Sequence, residues 1–339
     1  FFALNALEDI LIPVAFALLI AILLNPLNNR LERKLPRVVA IFCCLLISII
    51  LVGTVLYFLS SQIATFSESI PALKAKSSSM ITDLQQLVFE KFGMSLDKQA
   101  AMVKRALEGG PAYIGHTLNT ILGITSVLVL IPIYVFFLLF YKTLILDFLY
   151  RVFSEKNSKQ VGEVLKEVKT SVQSYIMGLL LEMVIVSAMN CTALLILGVR
   201  SAVLIGVIGG ILNMVPYLGG LIAISLPVLM VTVTTDGYTT QLAVIGCYLV
   251  IQFIDNNILM TRIVSSKVQI NALISIMIVL MGGALWGLPG MFLSIPFIAV
   301  LKIIFDRVDG LKPWGLLLSD TVPEQHAGIK WKFLHKKQH

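Results

Sequence analysis

The sequence predicts an all-α polytopic membrane protein: a transmembrane helical bundle with two Gly/Pro-broken hairpins arranged as an inverted repeat. Three observations carry this expectation. Hydrophobic residues make up 58% of the 339-residue chain and charged residues 13%, against roughly 45–50% and about 25% in soluble domains. Apolar runs long enough to cross a hydrocarbon core of about 30 Å recur along the chain, separated by loops in which Lys and Arg collect. The stretch from Gly198 to Pro227 is apolar yet cannot be one straight helix, because Asn213, Pro216, Gly219, Gly220 and Pro227 interrupt it.

Residues 1–59 read as N-terminal transmembrane helices, the first of them truncated, since the chain opens on Phe1 rather than Met. Phe1 to Leu7 reads as a helix end, Glu8 and Asp9 as a polar break, and Ile10 to Leu27 as a span. Arg30, Arg33, Lys34 and Arg37 against a lone Glu32 place the next loop in the cytoplasm. Val38 to Leu59 then returns outward. Residues 60–116 are the one sizeable polar block. Helical spacing of Ile63, Phe66 and Ile70, of Ile81, Leu84 and Val88, and of Val103, Ala106 and Leu107 predicts an extracytoplasmic amphipathic segment. Residues 117–174 hold an inward span, Leu118 to Tyr141, kinked at Pro132. A cytoplasmic loop with Lys142, Arg151, Lys156, Lys159, Lys166 and Lys169 follows, in which Glu163, Lys166 and Glu167 suggest a surface helix. Residues 175–305 form the transport core, and 306–339 a cytoplasmic tail rich in Lys.

Within the core, Ala202, Gly206 and Gly210 recur every fourth residue, so one face of that helix is nearly bare backbone and can pack closely on a neighbour. A second stretch echoes the first. Gly209 to Pro216 aligns without a gap on Gly282 to Pro289, and Ser225-Leu226-Pro227 on Ser294-Ile295-Pro296. Each hairpin (198–235 and 270–305) is an apolar arm, a break and a second apolar arm. The breaks are Pro216, Gly219 and Gly220 in the first, and Gly282, Gly283, Gly287, Pro289 and Gly290 in the second. Each follows one longer span, Tyr175 to Leu197 and Gln241 to Met260. Loop charge sends the two hairpins in from opposite faces, the pattern by which transporters place polar backbone at membrane depth.

Several polar residues could line a substrate or ion path. Glu182 lies in an apolar span, where a carboxylate is costly and usually faces a cavity, a partner or an ion path; a hydrogen-bonded structural Glu is the plainer reading. The densest polar cluster is Gln252, Asp255, Asn256 and Asn257, with Arg262 on the same helical face as Asp255; a helix end at the interface is the plainer reading there. Asn190, Asn213 and Asn271 are weaker candidates, because single Asn residues often only join helices. Tyr217 and Trp286 sit beside the breaks, where gating and interfacial anchoring are both open. Cys43, Cys44, Cys191 and Cys247 lie in apolar runs without partner spacing, and the four His residues form no cluster, so neither disulfide nor metal is expected. No phosphate loop, zinc-protease motif or triad is visible, so no cofactor and no enzyme activity are expected. The net charge of +7 is accounted for by loop Lys and Arg, with no nucleic-acid partner implied.

At these residues the chain resembles the autoinducer-2 exporter family of bacterial membrane proteins. The resemblance runs from Leu24-Asn25-Pro26 and Leu35-Pro36-Arg37 to Leu311-Lys312-Pro313-Trp314-Gly315. Its specific pieces are Tyr175-x-x-Gly178, Leu197-Gly198-Val199, Pro216-Tyr217-x-Gly219, Gln252-x-x-Asp255-Asn256-Asn257, Gly282 to Gly287 and Gly290 to Pro296. The resemblance implies export or facilitated passage of small molecules, homo-oligomers (pentamers are described), movement of the hairpins, and a multi-pass protein of the bacterial inner membrane with its C-terminus in the cytoplasm. Some similar proteins are linked to sodium–proton exchange. The chain departs from the family pattern at Arg200 and Thr261, where Pro is usual. The expected function is therefore export of small molecules around a polar site. A cation/proton antiporter using Glu182 and Asp255 is one alternative, and a non-transporting scaffold that binds a partner through its outer helices is another.

The charge pattern makes a topological prediction. Single cysteines replacing Ser78 and Lys156 should differ in labelling by a membrane-impermeant reagent on intact cells, with Ser78→Cys labelled and Lys156→Cys protected. Equal labelling of the two would refute the orientation.

Overall fold

The computed structural model describes residues 2–67, 117–152, 158–215, 219–235, 238–264 and 270–320, with a few isolated positions between 82 and 95. The amphipathic segment expected over 60–116 lies largely outside the described residues, as do Pro216 and Tyr217. The described chain is helical, with no β-strand. Among the described residues, five helices are long and apolar enough to cross a membrane.

After a short opening helix α1 (Phe2–Ala6), α2 (Glu8–Leu31) carries Glu8 and Asp9 in its first turn and Arg30 in its last, which suits the helix dipole at both ends. It stays helical through Pro13 and Pro26. Helix α3 (Arg37–Ser67) is followed, beyond the gap, by α4 (Thr117–Phe140) and α5 (Lys142–Val152). The sharp bend in this region is at Tyr141, where α4 and α5 meet at 62°. Arg37 holds that corner: its Nη2 donates to the Leu139 carbonyl at 3.2 Å and its guanidinium lies over the Phe140 ring, 5.4 Å from the centroid. Ala17 and Ala21 of α2 pack with Ile41 and Leu45 of α3 and Val135 and Leu139 of α4.

Helix α6 (Ser158–Ile196) is continuous where the sequence suggested a surface helix and a separate span. Its 39 residues measure about 58 Å, so roughly half of it must project beyond a 30 Å hydrocarbon layer. The projecting part carries the charge: Glu163 and Glu167 pair with Arg307 at 3.3 and 2.8 Å. The apolar part packs Val172, Tyr175, Ile176 and Leu179 with Leu19 of α2 and with Val279, Leu293 and Ile295 farther along the chain.

The core continues as α7 (Ala202–Asn213), α8 (Gly219–Thr234) and α9 (Thr239–Ile254), followed by a π-helical run (Asp255–Val264). At 12 residues, α7 is about 18 Å long, too short to cross alone. Its Gly face lies directly on α6. A Cβ at Gly206 would stand 2.6 Å from Cys191 Sγ and 2.7 Å from Cys191 N, and one at Gly210 would stand 2.9 Å from the Met183 carbonyl. Leu194, Val199, Ala202 and Ile205 then pack with Ala223, Met230 and Val231 of α8 and Val244 and Tyr248 of α9.

Helix α10 (Ala272–Arg307) leaves helical geometry at Trp286 (φ −134°, ψ 19°) and Gly287 (φ 60°, ψ −141°). Only glycine takes the second conformation without strain. The chain folds back there, so that Ser294 Oγ lies 2.9 Å from the Ile278 carbonyl and 2.6 Å from the Gly290 carbonyl, with its single proton to donate between them. Gly282 and Gly290 face each other across the fold with no room for a Cβ on either. A last helix, α11 (Lys312–Leu318), packs back on α10. The outer faces of α3 and α9 expose Phe42, Leu46, Ile50, Leu242, Leu249 and Phe253, as surfaces turned to lipid do.

The close α6–α7 approach predicts that Gly206→Ala lowers the unfolding midpoint in detergent by an amount worth about 1–3 kcal/mol, since backbone atoms of Cys191 block the new methyl. Gly246→Ala, where a Cβ meets nothing within 4 Å, should leave the midpoint unchanged. Equal midpoints for the two variants would contradict the packing.

Candidate functional site

Two carboxyl groups meet in the interior. Glu182 comes from the middle of α6, 4% exposed, and Asp255 from the first position of the π-helical run, 3% exposed. The π-helical run packs on α6, which brings Asp255 and Glu182 into the same part of the interior, where each carboxyl bears electrostatically on the other. Asn213, the last residue of α7, donates from Nδ2 to Asp255 Oδ2 at 2.8 Å. Glu182 Oε2 and Asp255 Oδ1 are buried and have no hydrogen-bond partner among the described residues. Buried polar atoms are normally paired, so each of these two open oxygens stands out within the apolar bundle.

The local backbone explains how these residues arrive. Where α9 passes into the π-helical run, i→i+5 hydrogen bonding starts at Asp255, a rare geometry that collects at functional sites. The run is held against α6 by glycine: a Cβ at Gly178 would stand 2.8 Å from the Ile263 carbonyl. The Gly178 of Tyr175-x-x-Gly178 therefore sets how closely α6 approaches the run at Ile263. Gln252, one turn before Asp255, lies on the bare backbone of Gly220 at the start of α8. Asn213 of α7 thus meets Asp255 directly, and Gln252 lies one turn before Asp255, against α8.

The other polar candidates lie elsewhere. Asn256 and Asn257 are exposed, and Asn257 Nδ2 donates to the Phe253 carbonyl of its own helix at 2.8 Å. Asn271 caps α10: its Oδ1 accepts from Ile274 N at 2.9 Å, and its Nδ2 donates to the Leu317 carbonyl at 2.7 Å. Trp286, at the break of α10, donates from Nε1 to the Leu4 carbonyl at 3.2 Å, so it ties that break to α1. Tyr217 lies outside the described residues.

Sequence reasoning passed over Tyr248. Its hydroxyl and Asn190 Oδ1 are both buried without a hydrogen-bond partner among the described residues, and both side chains approach Gly209. Asn190 is eight positions beyond Glu182 on α6, with buried Val186 midway, so the same face carries both polar groups. That i, i+4, i+8 spacing was the available signal. Among the described residues no cluster of His, Cys, Asp and Glu could hold a metal ion by number, and the four cysteines are free.

The long apolar helices among the described residues mark a multi-pass membrane protein, with the carboxyls of Glu182 and Asp255 buried inside it. The chain belongs to the AI-2E family transporters, whose pattern matches residues 1–310. It is 27% identical over 323 residues to the AI-2 transport protein TqsA of Escherichia coli (strain K12), covering 93% of this chain and 91% of that protein. It is 25% identical to the protein named "Putative transport protein YrrI" of Bacillus subtilis (strain 168), covering 88% of this chain and 86% of that one. It is 28% identical over 206 residues to "Putative permease PerM" of Escherichia coli (strain K12), covering 60% and 58%. Membership in a family of transporters and permeases sets aside the scaffold reading and accords with the lack of enzyme motifs.

The placement of Asn271 predicts a split result. Asn271→Ala removes the cap and should cost about 0.5–2 kcal/mol of stability, while transport per folded molecule stays at the wild-type level. Loss of flux with unchanged stability would return Asn271 to the transport path.

Proposed function

We propose that this transporter exports a small polar molecule across a bacterial inner membrane by rearranging the hairpins 198–235 and 270–305 around Glu182, Asp255, Asn213 and Gln252. The observation that carries the reading is the carboxyl pair itself. A charge at the centre of a span is disfavoured by about 2.5–3.5 kcal/mol on insertion scales, and two together with open oxygens have no evident structural use. The short α7, which brings Asn213 to Asp255, and the turn at Gly287 supply the broken elements that such a mechanism needs. In this reading the hairpins enter from opposite faces as an inverted repeat, the C-terminal tail is cytoplasmic, and the working form is a homo-oligomer. TqsA, which this chain resembles, is named an AI-2 transport protein, and that name supports AI-2 or a molecule like it as the cargo.

The same pair also favours a second reading, exchange of a cation for protons, because two facing carboxyls can trade one for the other. Flux into proteoliposomes separates the readings. Asp255→Asn keeps the size and the hydrogen-bonding shape and removes the charge. If Asp255 holds a proton or a cation, this variant should lose flux at least tenfold and flatten its pH dependence while still assembling. Wild-type flux with a wild-type pH profile would remove the ionic role of Asp255. Sodium-driven proton movement without efflux of a hydroxylated metabolite would select the exchanger.

A further inference from the structure

A second constellation lies at the basic end of the bundle, apart from the carboxyl pair. Lys142, first residue of α5, donates from Nζ to Asn25 Oδ1 at 3.0 Å and to Asn29 Oδ1 at 2.9 Å, both on α2. These are neutral acceptors, so the ammonium charge is oriented but not cancelled, and one of its three donors is still open. Lys169 of α6 faces the same space and makes no ion pair among the described residues. Of the charged groups that bear on Lys142, Lys169 and Arg37 are positive and Glu32 alone is negative. Glu32 is already engaged by Asn28 at 2.9 Å and lies 4.0 Å from Arg37.

Between these cations is a cavity of about 410 Å³ bounded by α2, α4, α5 and α6. Apart from Lys142, Lys169 and Asn25, its walls are aliphatic, among them Leu18, Ile22, Leu138, Ile145 and Leu149. The 62° bend at Tyr141 opens it, since α5 swings away from the line of α4 just past the end of the span. A cavity with cations at its polar end and hydrocarbon walls below matches one kind of molecule: an anionic headgroup continuous with acyl chains. We propose that this cavity is a binding site for an anionic phospholipid, its phosphate held by Lys142 and Lys169 and its chains lying along α2, α4 and α5. Basic pockets between transmembrane helices at the membrane boundary take headgroups in this way. Asn25 and Asn29 act as positioning residues, aiming the ammonium into the cavity. The lipid thereby fills the corner that Arg37 shapes, and it ties α5 and the projecting half of α6 to the N-terminal helices.

The test uses the full chain, purified in detergent and stripped of lipid. Thermal unfolding is followed on adding phosphatidylglycerol, phosphatidylcholine with the same chains, or glycerol phosphate without chains, and bound lipid is counted by native mass spectrometry. Phosphatidylglycerol should raise the midpoint by several degrees and remain bound, while the other two do so at most weakly. Lys169→Gln, which breaks no hydrogen bond seen among the described residues, and Lys142→Gln, whose amide can still donate to the two Asn acceptors, should each weaken retention of phosphatidylglycerol about tenfold. The two changes together should abolish its advantage over phosphatidylcholine. Equal effects of the two lipids on the wild-type protein would overturn the proposal, as would an undiminished preference in the double variant. Stabilisation by glycerol phosphate equal to that by phosphatidylglycerol would reassign the site to a free phosphate ester. Concentration-dependent dimerisation with no lipid bound would assign the cavity to a second copy of the chain.

Discussion

Two carboxyl groups inside an apolar bundle are expensive, and much of the helix packing around them can be understood as what is needed to hold them there. Glu182 and Asp255 come from helices that are far apart in sequence, and each would be easier to place at a surface. Asn213 meets one oxygen of Asp255, and it can do so only because α7 ends where it does. A helix long enough to cross the membrane would carry Asn213 past the pair. Asn257, two positions beyond Asp255, faces outward while Asp255 faces in.

Glycine sets the distances. Gly178 brings α6 against the π-helical run, Gly206 and Gly210 bring α7 against α6, and Gly220 receives Gln252. At each of these contacts the neighbour is backbone or a polar side chain, so association gains from van der Waals packing at close range, the term that dominates where lipid removes the hydrophobic drive. The fold-back of α10 uses the same device, with Gly282 and Gly290 face to face and the Ser294 hydroxyl between the Ile278 and Gly290 carbonyls.

The sequence announced much of this because its signals were local. The small-residue face of α7 could be read from spacing alone, and so could a break at Gly287, whereas the chain stays helical through Pro227, Gly282, Gly283, Pro289 and Gly290, which the sequence also marked as interruptions. Glu182 and Asp255 were each legible as costly residues, but nothing in the chain says that they touch, since their meeting depends on how α6 crosses α9. Asn271 was open to a simpler interpretation. An Asn directly before an apolar helix is a cap by preference, and the cap is what the structure holds. The continuity of α6 was hidden by its mixture of charged and apolar halves, which read as a loop and a span. Lys142 and its Asn25 and Asn29 acceptors lie on opposite sides of the long polar block, so no local pattern could connect them. The motifs Leu24-Asn25-Pro26 and Leu35-Pro36-Arg37 marked the resemblance without revealing that Asn25 aims a lysine and Arg37 holds a corner.

The central claim is that Glu182 and Asp255 act as one unit, and a double-mutant cycle on transport tests it directly. Flux would be measured for the wild type, Glu182→Gln, Asp255→Asn and the double variant, each normalised to folded protein. Groups that share one proton or cation lose their joint function when either is neutralised, so the double variant should be hardly slower than the worse single one, with a coupling of about 0.5–3 kcal/mol. Losses that simply multiply would contradict the account, because they would mean that the two acids serve separate steps.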